Sequence, residues 1–95
     1  MKIRQTDAFV KWLKKLKDHE ARARILMRIN RFRLGNLGDV KSVGEGVREA
    51  RIDYGPGYRL YFVERGEELI ILLCGGSKKT QQADVEKAKI LGKDI

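Results

Sequence analysis

Two arginines and a pair of lysines carry most of the chemistry this chain offers. Arg51 lies in "VREARIDY", Arg59 in "YGPGYRLYF", and Lys78 and Lys79 in "GGSKKT". Guanidinium forks match phosphate oxygens in pairs, and clustered cations stabilise charge that builds up on a phosphoryl centre in a transition state. A phosphodiester is therefore the ligand class these residue types suit. The same residues can equally form ordinary cross-strand ion pairs, Arg51 with Glu49 or Asp53 among them, and the pattern alone leaves both uses open. Other chemistries are excluded more sharply. With His19 as the one histidine and Cys74 as the one cysteine, the chain has no zinc-ligand cluster, no Cys–His nucleophile pair and no internal disulfide. "GGSKKT" lacks the GxxxxGK spacing of a phosphate-binding loop. No metal or cofactor is expected. His19 is expected to be exposed at a helix start, and Cys74, inside "ELIILLCGG", to be a buried small residue.

Period two positions these residues. In the strand "RLYFVE", Tyr58, Leu60 and Phe62 share one face and Arg59, Tyr61 and Val63 the other. If the first set lies beneath helices, Arg59 is expected on the open face of the sheet, as are Glu49, Arg51 and Asp53 on the neighbouring strand. Pro56 and Gly57 fit the second and third positions of a type II turn, so the two strands form an antiparallel hairpin. Lys78 and Lys79 leave the end of a final, strongly apolar strand, "LIILLC".

The first third of the chain is helical. "KIRQT" reads as a short opening strand. Thr6 then caps a helix whose apolar stripe is Phe9, Leu13 and Leu16, edged by Trp12, with Lys11, Lys14 and Lys15 away from it. Asp18 is positioned to cap a second helix running to about Leu34, with Ile25, Leu26, Ile29 and Phe32 as its buried face and Gly35 as its stop. Arg24, Arg28 and Arg31 recur at helical spacing beside that face and form a cationic rail. "GNLGDVKSVGEG" reads as a loop, and the chain closes with a helix from about Thr80 to Leu91 that turns Val85, Ala88 and Leu91 inward. The order βααβββα predicts an α+β fold, with an N-terminal helical hairpin and a C-terminal helix packed on a curved antiparallel sheet.

At 95 residues the chain is expected to be a single domain, residues 1–95. Its formal charge of +8 is unevenly spread: eleven Lys or Arg stand against three acids through Leu34, and ten stand against ten thereafter. A localised basic surface points to polyanions or to an acidic protein partner. No apolar run approaches a membrane span and the N-terminus lacks the continuous apolar core of a secretory signal, so a cytoplasmic protein without membrane contact is expected.

The element order, the "GVREARIDYGPGYRLYF" hairpin and the "IILLCGGSKKTQQADVEKAKIL" ending resemble the RelE/ParE superfamily of type II toxin–antitoxin toxins, and more narrowly the HigB-like addiction-module killer proteins. That resemblance covers essentially the whole chain. It implies a ribosome-dependent mRNA endoribonuclease, with ribosome and mRNA as partners and a cognate antitoxin, for this subgroup a helix-turn-helix protein, holding it inactive. It places Arg59 where RelE-like members carry a phosphate-contacting arginine, Arg51 among the basic positions of the preceding strand, and Lys78 or Lys79 at the basic position after the last strand. The tyrosine or histidines that relatives carry in the C-terminal region are missing between Gly75 and Ile95, where Gln81, Gln82 and Asp84 stand instead. The implied catalytic set is Arg51, Arg59, Lys78 and Asp84, with Glu49 as a second candidate base. Lys79, Gln81, Lys14, Arg24, Arg28 and Arg31 are the implied RNA contacts. Two other functions fit the same fold: a ParE-like inhibitor of DNA gyrase and a non-catalytic binding module.

Overall fold

The computed structural model describes residues 1–95, and the elements run β1 Lys2–Gln5, α1 Asp7–Lys15, α2 His19–Arg33, β2 Val40–Gly44, β3 Val47–Ile52, β4 Tyr58–Arg65, β5 Leu69–Ser77, a 3₁₀ turn Lys78–Thr80, and α3 Gln81–Lys93. The fold is α+β, with the five strands in the order β1-β5-β4-β3-β2. No helix is long and apolar enough to cross a membrane.

The starts of α1 and α2 are capped as their residue types dictate. Thr6 Oγ1 accepts the Phe9 N–H at 3.1 Å, and Asp18 Oδ1 accepts the N–H groups of Glu20 and Ala21 at 3.0 and 3.1 Å, satisfying donors that a helix leaves without partners. The far end of α1 is closed by Arg22, whose Nη2 donates to the carbonyls of Leu13, Lys14 and Leu16.

The hairpin helices α1 and α2 cover one sheet face. Phe9, Ile25, Ile29 and Phe32 are buried there with Ala50, Ile52, Leu60, Phe62, Ile70 and Leu72. Leu26, expected in this core, is 48% exposed, and Ala21 is buried instead. Ala21, Ile25, Ile29 and Phe32 keep one helical stripe, from which Leu26 departs by the roughly 100° step of a single residue.

Four further expectations are corrected. β1 pairs parallel to β5, with Ile3 opposite Ile70, so the sheet is antiparallel except at that edge. The stretch read as a loop contains β2, paired with β3 from Val40 opposite Ala50; it is a short edge strand with no fully buried residue, and its glycines and polar residues show no apolar alternation. The turn closes one residue early, Gly57 N–H donating to the Tyr54 carbonyl at 3.0 Å, which puts Gly55 and Pro56 at its centre. Gly55 and Gly57 have φ of +56° and +76°, values that favour glycine.

The largest correction concerns the second face of the sheet, which is not open. α3 lies across it, and Val47, Tyr61, Val63, Leu73, Cys74 and Ala88 form a second core beneath. Adjacent glycines in β5 make room for both layers. A Cβ on Gly75 would stand 2.4 Å from the Trp12 ring on the hairpin side, and one on Gly76 would stand 1.7 Å from the Asp84 carboxylate on the α3 side. Gly76→Ala is therefore expected to destabilise the fold by about 1–3 kcal/mol, measured by urea denaturation, with Gly66→Ala, whose loop site is open but has φ of +63°, as the control for backbone strain alone.

Candidate phosphate-binding cleft

Where the β3–β4 turn meets the exit of β5, a cleft of about 410 Å³ is lined by Arg51, Arg59 and Lys78, with Asp39, Asp53 and Gly57 at its sides. The register builds it. Arg51 and Arg59 are direct cross-strand partners and therefore share a face, and Arg59 is opposite Gly76 on its other side. Lys78 is brought in by its N–H, which donates to the Gly57 carbonyl at 2.8 Å. The same carbonyl accepts Arg59 Nη1 at 2.8 Å, so one turn residue holds both cations.

Two arginines directly opposite each other repel unless an anion stands with them, and Glu49 fills that role. It is fully buried, accepts hydrogen bonds from Tyr61 Oη and Gln81 Nε2, each at 3.0 Å, and lies 3.5 Å from Arg51 Nε, 3.8 Å from Arg59 Nε and 3.8 Å from Lys41 Nζ. Arg59 is only 7% exposed and its Nε, buried, makes no hydrogen bond. The question left open by the residue pattern, ion pairing or phosphate binding, thus has a double answer. The arginines do pair, three cations sharing the one buried carboxylate, and the cleft lining sets Arg51, Arg59 and Lys78, which can bind phosphate, beside Asp39 and Asp53, which can accept a proton.

The pKa directions fit a fixed scaffold. Burial pushes the Glu49 carboxyl up, yet the Gln81 and Tyr61 hydrogen bonds, Lys41 and Arg59 outweigh it and hold the group below its ordinary value. Burial, then the neighbouring Glu49 carboxylate, raises Tyr61. At neutral pH Glu49 is charged and Tyr61 neutral, and neither is tuned to exchange protons there. Burial pushes the Cys74 thiol up to about 12, and Cys74 is buried as expected, which leaves it inert. His19 is exposed as expected.

The remaining predicted site residues are dispersed. Asp84 sits over Gly76 and accepts from Thr80 Oγ1 at 2.5 Å; it does not line the cleft. Gln81 is turned to Glu49. Lys79 lines a separate surface with Thr80 and Gln82, and Lys14 is exposed on α1. The rail is not a free cationic edge. Arg28 donates to the carbonyls of Leu37, Asp39 and Arg51 at 2.9, 2.9 and 2.7 Å, tying α2 to β3 directly behind the cleft, and burial lowers its pKa. Arg24 pairs with Glu20 at 3.7 Å and lies 4.6 Å over the Tyr54 ring. Arg31 is the one of the three with neither an ion pair nor a side-chain hydrogen bond, since Arg28, though it pairs with no carboxylate, is held by three carbonyls. Sequence reasoning missed the clamp of Arg28 and the organising role of Glu49. The second was within reach, because the hairpin register that pairs Arg51 with Arg59 also sets Glu49 opposite Tyr61.

Fold and cleft together define an α+β fold with a groove whose two arginines and lysine suit a phosphate-bearing ligand. The chain belongs to the family described as phage derived protein Gp49-like (DUF891), whose model matches residues 11–92, a toxin-like family related to addiction-module killers. It is also similar to a protein of Haemophilus influenzae described as uncharacterized, at 47% identity over 95 residues, spanning 100% of this chain and 96% of that one.

Proposed function

We propose that this protein is the toxin of a type II toxin–antitoxin module, a HigB-like member of the RelE/ParE superfamily, and that it cleaves mRNA on the ribosome in the cytoplasm. The observation that carries the proposal is the convergence of Arg51, Arg59 and Lys78 on one cleft, with the buried Glu49 fixing both arginines. In-line attack of an mRNA 2′-hydroxyl on the adjacent phosphate breaks the bond to the 5′ oxygen and leaves a cyclic phosphate and a 5′-hydroxyl. The nucleophile belongs to the RNA, so the chemistry needs no metal. Arg59 and Arg51 stabilise the charge gained by the phosphoryl oxygens, and Lys78 contacts the phosphate or protonates the leaving oxygen. Glu49, buried and depressed in pKa, acts as a positioning residue; the carboxylates that line the cleft are Asp39 and Asp53, and these are better placed than Asp84 to take the 2′-hydroxyl proton. The ribosome supplies the geometry of the strand, so cleavage of free RNA is expected to be weak. A cognate helix-turn-helix antitoxin keeps the toxin inactive.

Induction of the protein without an antitoxin, followed by mapping of transcript 5′ ends, tests this reading. New ends inside translated regions that disappear when translation is blocked are expected. Intact transcripts accompanied by gyrase-dependent DNA breaks would replace it with the gyrase-inhibitor reading, and normal growth would favour a binding module.

A further inference from the structure

A second cationic hollow lies outside the cleft. Lys11, Trp12 and Lys15 of α1 and Lys87 of α3 line a space of about 460 Å³ with Ala8, and none of these residues lines the Arg51–Arg59–Lys78 cleft. The three lysines form no ion pair, although Asp7 and Glu86 lie on the same two helices. The other hollows differ. Three have acidic side chains in their lining, Glu20 and Asp53, Asp39 and Asp53, or Glu86, and the fourth has two arginines but no aromatic residue. Here three like charges are gathered from two helices with no internal anion, an arrangement that repels itself until an external anion arrives. Beside them lies the Trp12 indole, pressed against Gly75 and part of the hollow's wall. A planar aromatic surface flanked by cations is the makeup of a single-strand nucleic-acid site, stacking for a base and charge for its phosphates. Trp12 also meets Tyr58 edge-on at 6.4 Å, and Tyr58 lines the cleft, so a single ring pair separates the two.

We propose that the α1–α3 hollow is a second RNA-binding subsite, in which Lys11, Lys15 and Lys87 take phosphates of a single strand and Trp12 takes a base. This inference rests on the reading of the protein as an RNA-acting toxin, but its test does not depend on cleavage. Trp12 is the one tryptophan and lines the hollow, so intrinsic fluorescence follows RNA binding, and the lysine variants assign the signal to the hollow rather than to the cleft that Tyr58 lines. Titration of the full chain with a single-stranded oligouridylate at low salt is expected to quench that fluorescence saturably. Lys11→Glu/Lys15→Glu/Lys87→Glu is expected to weaken the binding at least tenfold, and to make the slope of log affinity against log salt shallower by about 2, at roughly 0.7 per phosphate contact. The corresponding triple Lys→Arg variant is expected to retain binding, and circular dichroism checks that each variant is folded. Quenching is read without any cleavage, so saturable quenching by RNA that the triple Glu variant loses supports the subsite even where no transcript is cut, and failure of the nuclease reading is seen separately in the mapping of transcript ends. Absence of quenching, or equal binding by the folded triple Glu variant, overturns the proposal. Quenching by a polyglutamate peptide but not by RNA overturns it too, in favour of an acidic protein segment.

Discussion

Arg59→Ala is expected to lower translation-dependent mRNA cleavage by about 10²- to 10³-fold, the loss typical of removing one preorganised donor aimed at developing negative charge. The size of the effect follows from how the side chain is held. Arg59 is almost wholly buried, its Nη1 is fixed by the Gly57 carbonyl at 2.8 Å, and Glu49 holds its charge in place from 3.8 Å. Little reorganisation is left for the moment of reaction, so the full electrostatic benefit acts on the transition state. Arg59→Lys is expected to recover only part of the rate, because an ammonium on a flexible stem cannot reach Gly57 and also present a planar fork to two phosphate oxygens. Arg51→Ala, by contrast, is expected to be milder, since that side chain is 45% exposed and its charge is already screened by water. Ribosome-dependent cleavage assays on purified variants, with thermal denaturation to confirm folding, separate the three. Equal rates for wild type and Arg59→Ala would remove Arg59 from the mechanism.

Much of this arrangement is legible in the residues, and the failures at the cleft share a physical cause. The caps at Thr6 and Asp18, the stripe through Phe9, Ile25, Ile29 and Phe32 and the α+β order all rest on local periodicity, which acts over a turn or two of chain. Alternation along β4 correctly separated Arg59 from Tyr58, Leu60 and Phe62. It did not reveal what covers Arg59's own face, because coverage depends on where α3 returns, a contact between residues far apart in sequence. The same limit explains Arg28. Its spacing with Arg24 and Arg31 predicts a shared helical side, but the three carbonyls that occupy it come from Leu37, Asp39 and Arg51. The paired glycines show the converse. Gly75 and Gly76 lie beyond the apolar run "LIILLC" that marks the last strand in the sequence, yet they are buried strand residues whose missing side chains admit Trp12 on one face and Asp84 on the other.

Glu49→Ala is expected to have the largest effect on stability of any single change at the cleft, about 3–5 kcal/mol, the range for removing one member of a buried ion pair and stranding the other. Arg59 Nε already lacks a hydrogen bond, and without Glu49 its buried charge has no anion, while Tyr61 and Gln81 lose their acceptor. Glu49→Gln keeps the shape and an acceptor oxygen but not the charge, and is expected to cost less. The pH dependence distinguishes charge from shape. Because the folded protein holds the Glu49 carboxyl below its unfolded value, the unfolded chain takes up this proton first as pH falls. The stabilisation is therefore complete above the unfolded glutamate pKa, about 4.3, and is lost progressively as pH drops through the lower folded value. Urea denaturation of wild type and Glu49→Gln from pH 7 to pH 3 is expected to show the difference between them shrinking below about pH 4.3. A constant difference across that range would mean that Glu49 contributes by packing and hydrogen bonding rather than by its charge. The positive field at the cleft would then come from Arg51, Arg59 and Lys78 without an organising anion, and cleavage by Glu49→Gln would match that of the wild type.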